Sequence, residues 1–352
     1  MAILDFGSDS AAPKVTVVTT MKDEGPYILD WVAHYKALGA TDIVVFTNDC
    51  SDPTDQILRN LNRLGYVHHR FNRVMRRGPH KSALMWAEQE PVVRDADWLL
   101  VVDVDEYLDI KVGDGTFKAL IDHHKGADAI SLVWRIFGNA GIEHISDRPV
   151  PEEFVKCEGA EVNPQRRSRF FKTLFRNNEK FNRMGVHRPF LERRASDIVW
   201  VTADGTRIPD ENMPGALHVS DGYGYEVAQL NHYALRSKDA FLNKQRRGRA
   251  NHVGGNLKLA YWKKFDRNEV EDHSLAEGFA KALPIKEAML DDPVVRRRHE
   301  EAIEGARAMA KMARRKRPGR AFVVHLDRML SGGHMPDEEE IELSSDGTDQ
   351  AA

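Results

Sequence analysis

The sequence predicts an α/β fold: a mostly parallel twisted sheet flanked by helices, with a helical C-terminal extension. Three observations predict it. Short β-branched or apolar runs alternate with amphipathic helical patterns from residue 14 to about 138. The connections are short and punctuated by Gly and Pro. The run Trp98–Val102 (WLLVV) is apolar throughout, as befits a strand covered on both faces.

The elements follow in order. Lys14–Thr20 (KVTVVTT) reads as a buried strand, and the polar loop 21–26 closes on Gly25-Pro26. Ile28, Leu29, Trp31, Val32, Tyr35 and Leu38 recur at helical spacing up to Gly39. Asp42–Phe46 is a second strand, and Thr54 to Gly65 a second amphipathic helix. Tyr66–His69 is a third strand, His80–Glu88 a helix and Trp98–Val102 the fourth strand. Thr116–His123 reads as helix and Ala129–Val133 as strand; beyond residue 138 the alternation blurs. Ala228–Lys244 leads into a helical stretch, and residues 292–317 form a basic helix. In such sheets ligands sit beyond the carboxyl ends of the strands. The polar loops 22–25, 47–52 and 103–107 are therefore expected to line one crevice.

The chain has 352 residues, 41% hydrophobic and 30% charged, with a formal net charge of −3. These values fit a globular protein and give no global field that draws nucleic acid. Cys50 and Cys157 are the only cysteines, too few for a disulfide framework or a multi-cysteine zinc site. No apolar run approaches the length of a membrane span, and the start lacks the pattern of a secretory signal. The expected location is cytoplasmic, with attachment to the inner face of a membrane left open. Residues 1–13 read as a leader, 14–265 as the main domain, 266–330 as a helical extension and 331–352 as an acidic disordered tail. Within that tail residues 337–349 hold seven acids and no base.

The most informative stretch is Leu99–Glu106 (LLVVDVDE). An apolar strand ends in two carboxylates one residue apart, and in continued extended geometry Asp103 and Asp105 share a side. Two such carboxylates repel unless a cation lies between them or one is protonated. Mg²⁺ or Mn²⁺ takes one or two carboxylates together with substrate phosphates. Such a cation neutralises the charge that grows on a departing diphosphate. Lys81, at the start of the helix after Gly78-Pro79-His80, suits a phosphate that also meets the exposed N–H groups there. Asp49 and Asp52 can serve ribose hydroxyls and a base, or Asp52 can cap the next helix.

Here the chain resembles the nucleotide-sugar glycosyltransferases of the A-type fold, family 2-like and related to family 92. The D-x-D element is Asp103-Val104-Asp105. Asn48-Asp49-Cys50-Ser51-Asp52 is similar to a nucleoside-contacting segment of that group. Trp134-x-x-Phe137-Gly138-x-x-Gly141 resembles a motif that follows the D-x-D strand. Asn231-His232-Tyr233, Ser237-Lys238, Phe241 and Lys244 resemble its H-Y-x-x-K-S-x-x-x-F-x-x-K signature. The likeness covers about residues 14–250. It implies a UDP-sugar donor, a saccharide or other hydroxyl acceptor, inversion, and nucleotide contacts at Asp23, Glu24, Asn48, Asp49, Asp52 and Asp103. It also implies a downstream histidine completing the metal site, His232 or else His187.

An inverting enzyme needs a carboxylate within reach of the acceptor hydroxyl. Asp221, Glu226 and Glu106 are the candidates. Residues 166–188 carry eight Lys/Arg, one acid and interleaved Phe. That segment suits an anionic acceptor, the donor diphosphate, a membrane surface or plain solvent. Two other functions compete: an Asp-x-Asp phosphatase, and a non-catalytic module using the basic segments to bind nucleic acid or membrane.

Overall fold

The computed structural model describes residues 12–159, 170–210, 213, 224–247 and 259–330. Its first half follows the expected alternation: β1 (Val15–Met21), α1 (Ile28–Ala37), β2 (Asp42–Thr47), α2 (Thr54–Arg63), β3 (His68–Phe71), α3 (Pro79–Ala87), α4 (Pro91–Arg94) and β4 (Trp98–Val101). β5 (Glu106–Ile110), α5 (Phe117–His123) and β6 (Ala129–Ile136) come next. The chain continues through α6 (Val150–Glu153), β7 (Lys156–Cys157), β8 (Phe171–Arg176), β9 (Phe181–Arg183), β10 (Phe190–Leu191), β11 (Trp200–Thr202) and β12 (Ala228–His232). It closes with α7 (Lys238–Arg247), α8 (Leu259–Phe265), β13 (Val270–Glu271), α9 (Ser274–Gly278), α10 (Leu283–Leu290), α11 (Pro293–Arg315) and α12 (Arg317–Leu330).

The main sheet runs β3-β2-β1-β4-β8-β6-β12-β5, with β11 beside β6. β1 pairs in parallel with β2 and β4, β2 with β3, and β6 with β11 and β12. β8 runs antiparallel between β4 and β6, and β5 antiparallel to β12. The sheet is thus mixed, with parallel pairs in the majority. Its two faces are legible in β4. Trp98, Leu100 and Val102 face a core shared with α1, α2, α10 and α11, while Leu99 and Val101 face one shared with α3 and α4. This is the two-residue period of a strand buried on both sides. α2 answers with Thr54, Ile57, Leu58 and Leu61 buried in one stripe. Each buried Leu or Ile there contributes about 1.5–3 kcal/mol.

Two expectations change. The segment read as a basic, Phe-rich surface contains β8, a central strand, and Lys172 within it is wholly buried. Cationic residues at intervals do not keep a strand at the surface when Phe171, Leu174 and Phe175 have both cores to fill. The chain also does not stay extended through Asp103–Asp105. It turns there and re-enters the sheet as β5, whose five residues are all buried. The C-terminal helices share the first core through Val295, Ala302, Phe322 and Leu326. Asp292 caps α11 by accepting from the amides of Val294 and Val295.

Candidate active site

In the turn between β4 and β5 the carbonyls from Asp103 to Glu106 are each held by a hydrogen bond. Trp31 Nε1 donates to the carbonyls of Asp103 (3.1 Å) and Glu106 (3.2 Å), and the Tyr35 hydroxyl also donates to Glu106 O. Arg236 Nη2 donates to Val104 O at 3.0 Å, and the Tyr233 amide to Asp105 O at 2.8 Å. α1 thus clamps the turn from one side and the segment after β12 from the other. A backbone so fixed holds its side chains in place before any ligand arrives.

Each carboxylate of the pair meets its own lysine. Lys172 Nζ donates to Asp103 Oδ2 at 3.0 Å and lies 3.5 Å from Glu106 Oε2. Lys244 Nζ donates to Asp105 Oδ2 at 2.9 Å. Burial by itself would raise the Asp103 carboxyl, but Lys172 and then His80 bring it below its ordinary value. Burial likewise opposes ionisation of Asp105, yet Lys244, His232 and Arg236 hold it far below the usual carboxylate range. Both are ionised at neutral pH. Glu106 goes the other way, raised by burial that Lys172 only partly offsets.

His232, at the end of β12 opposite Glu106, places Nε2 3.9 Å from Asp105 Oδ1. That is too long for a hydrogen bond. It is also wider than the roughly 3.0 Å between neighbouring donors of an octahedral cation at about 2.1 Å, so binding one would draw the two groups together. Burial pulls the imidazole down to about 4, so it is neutral, as a metal ligand must be. Its Nδ1 is buried with no hydrogen-bond partner. Among the described residues no group of three or more His, Cys, Asp or Glu is arranged to hold a metal. Asp105 and His232 are the nearest such donors to each other here, while Lys172 and Lys244 occupy an oxygen of Asp103 and of Asp105 that a cation would otherwise take. His187 is placed differently: its Nδ1 faces the Phe171 carbonyl at 3.1 Å.

Next to this turn opens a narrow cleft of about 60 Å³, whose walls include Asp23, Glu24, Tyr27, Asp52, Arg236 and Lys244. α7 contributes Ala240 and Asn243 to it, and α11 contributes Ala306 and Met309. The first two polar loops meet here. The Asp23 carboxylate, on a residue with φ +51°, accepts from the amides of Ser51 and Asp52. Asp52 accepts from the amides of Gly25 and Thr54, both at 2.9 Å, so it ties the loop to the start of α2 and also faces the cleft. Glu24 receives Arg236 Nη1 at 2.8 Å. Arg236, at φ +56°, lies 3.6 Å over the Tyr27 ring.

The remaining candidates fall elsewhere. Asn48 and Asp49 bond to each other beyond β2, and Asp49 is exposed outside the cleft walls. Lys81 is exposed on the first turn of α3. Glu106 is 0% exposed and accepts from the Asp103 amide, so it supports the turn and has no surface to offer an acceptor as a base. Glu226 is exposed ahead of Ala228, which pairs with Ile110, whereas His232 pairs with Glu106. It therefore sits at the opposite end of β12, beyond a hydrogen bond's reach of the carboxylate turn. Asp221 lies outside the described residues. Sequence reasoning assigned no role to Lys172, Lys244, Arg236 or His80. A lone lysine inside the apolar run FFKTLF was a readable signal for Lys172, and Lys244 closes the signature quoted above; Arg236 and His80 needed the fold.

The sequence matches the profile of glycosyltransferase family 92 over residues 18–206. None of the curated proteins matches it. Among solved structures, S. aureus TarS 1-349 in complex with UDP is similar at 14% identity and TM-score 0.32, over 86% of this chain and 91% of that one. Glucosyl-3-phosphoglycerate synthase from Mycobacterium tuberculosis, in complex with Mn²⁺, UDP and glucosyl-3-phosphoglycerate, is similar at 12% identity and TM-score 0.25, over 36% of this chain and 45% of that one. At these TM-scores the two likenesses decide nothing about the site.

Proposed function

The chain belongs to glycosyltransferase family 92, and from that premise we propose that it moves a sugar from a UDP-sugar to a hydroxyl of a saccharide or other acceptor, with inversion and with Mn²⁺ or Mg²⁺. Family membership sets aside the phosphatase and the non-catalytic module. One observation supports the reading most: Lys244 lies on the wall of the cleft and also touches Asp105 of the clamped turn. A nucleotide in the cleft would therefore carry its diphosphate toward Asp103 and Asp105. Lys244 and Arg236 draw the diphosphate by charge. Asp23, Glu24 and Asp52 supply acceptors for ribose or base. Asp105 and His232 hold the cation, which when bound neutralises charge on the leaving diphosphate. Lys172 keeps Asp103 ionised and oriented. Of the carboxylates considered as base, Asp221 keeps its candidacy.

Thermal stabilisation by nucleoside diphosphates, with and without Mn²⁺, tests the donor half. UDP should stabilise most, and only with the cation. Asp105→Asn keeps the shape but removes a charge, so it should fold and lose turnover. Undiminished turnover in EDTA and in Asp105→Asn alike would overturn the proposal.

A further inference from the structure

The loop between β3 and α3 reads Phe71-Asn72-Arg73-Val74-Met75-Arg76-Arg77-Gly78. A soluble protein usually scatters its exposed apolar side chains singly. Here Phe71 is 65% exposed, Val74 45% and Met75 43%, three within five residues. Arg73 stands between Phe71 and Val74, Arg76 and Arg77 follow Met75, all three are exposed, and the segment from Phe71 to Ala87 contains no acid. The loop is not loose. Asn72 is buried, its amide donates to Thr47 O, and its side chain donates to Pro79 O at 2.9 Å. The apolar and cationic side chains are thus held outward by a fixed backbone.

The surface continues onto a second element. Phe190 of β10 is 43% exposed and lies under the Arg183 guanidinium of β9 at 4.3 Å. The Met184 amide, between β9 and β10, donates to the Glu88 carboxylate at the end of α3 at 2.9 Å, which ties the hairpin to the helix that follows the loop. Nearby acids are engaged: Glu88 by the Met184 amide and Glu90 by Arg70 at 2.9 Å. Both elements adjoin the active site. The loop follows β3, parallel to β2 and β1, so it lies on the same rim as the cleft loops. The hairpin's Val186 carbonyl accepts from Lys172 Nζ at 3.0 Å.

We propose that loop 71–77 and the Phe190–Arg183 pair dock the protein on an anionic lipid surface, turning the rim of the active site toward the bilayer. Apolar side chains interleaved with arginines are what an interfacial surface requires: apolar groups enter the headgroup boundary while cations meet anionic headgroups. A purely polyanionic partner would call for the arginines and leave Phe71, Val74 and Met75 without a purpose. The inference rests on the proposed transferase reading in one respect, that the acceptor would be carried on the lipid surface.

Co-sedimentation of the full chain with vesicles tests it. Vesicles of phosphatidylglycerol and phosphatidylcholine should pellet the protein, and pure phosphatidylcholine should not. A cation near such a surface contributes roughly fivefold in binding, so Arg73→Gln/Arg76→Gln/Arg77→Gln should weaken it about a hundredfold. Phe71→Ser/Met75→Ser should weaken binding to the same vesicles as well, and at high salt it should abolish what remains. Equal binding to both vesicle types, or none to either, overturns the proposal. Loss on the arginine changes with none on Phe71→Ser/Met75→Ser also overturns it, in favour of a soluble polyanion. UDP stabilisation measured on the same variants should be unchanged, which keeps failure here distinct from failure of the transferase reading.

Discussion

Replacing Lys172 by methionine removes a wholly buried ammonium while nearly conserving volume. Lys172 Nζ meets Asp103 Oδ2 at 3.0 Å, Glu106 Oε2 at 3.5 Å and the Val186 carbonyl at 3.0 Å. Breaking a buried pair by deleting one partner costs about 3–5 kcal/mol, because the other charge stays behind. Two features place the cost at the low end. Glu106, already raised by burial, can remain protonated, and Asp103 keeps 29% of its side chain open to water. The expected loss is about 3 kcal/mol, a large share of a domain's stability of about 5–15 kcal/mol. The pH dependence follows from the directions of the shifts. Lys172 is raised from 10.5, so its contribution is complete below that value. Asp103 is lowered from 3.8, so its contribution is complete above that value and is lost as pH falls through the folded one. The Lys172–Asp103 contribution should therefore be flat across neutral pH, on top of a decline with rising pH from Glu106, which burial raises to about 8. Urea unfolding at pH 6, 7 and 8 measures it, and the Asp103→Asn/Lys172→Met double variant should recover part of the loss. A cost under about 1 kcal/mol, or no coupling in the cycle, would refute the idea that Lys172 is the electrostatic support of the turn.

Other consequences can be measured in the same way. A Cβ on Gly25 would lie 2.7 Å from Ala302 Cβ and 2.8 Å from Asp52 Oδ2. Gly25→Ala should therefore push α11 off the cleft, lower stability by about 1–3 kcal/mol and weaken UDP binding. Gly278→Ala, with nothing within 4 Å of the new atom, should leave UDP binding intact. Burial lowers His34 to about 3 and His69, His187 and His232 to about 4. The unfolded chain then takes up protons first as pH falls below 6.5. Stability should decline between pH 6.5 and 4 by up to about 1.4 kcal/mol per unit for each such histidine, and a flat profile of urea midpoints from pH 7 to 5 would count against it. Asp221→Asn should lower turnover by about 10²-fold or more if Asp221 is the base, while Glu226→Gln should not; the reverse ranking would exchange their roles.

The alternation of apolar runs and helical stripes along residues 14–136 was legible because it depends on local periodicity alone. A strand such as Trp98–Val101, buried on both faces, has to be apolar throughout, and a helix such as α2 has to carry its apolar residues on one stripe. The sequence also determined that two carboxylates follow β4, since a strand's carboxyl end is where this kind of sheet meets its ligands. Tertiary structure decided what those carboxylates touch. Lys172 comes from an antiparallel strand inserted beside β4, and Lys244 from a helix 139 residues beyond Asp105. Neither pairing has a local signal, because an ion pair depends on distance in space and not along the chain. The same holds for α11, whose Ala306 and Met309 wall the cleft. Its sequence shows an amphipathic basic helix, but only packing against the turn at Gly25–Tyr27 makes it part of the site. Even the assignment of Glu106 was beyond sequence reasoning. Next to two site carboxylates it reads as a third, and only its complete burial shows that it faces inward to hold Lys172 and the Asp103 amide.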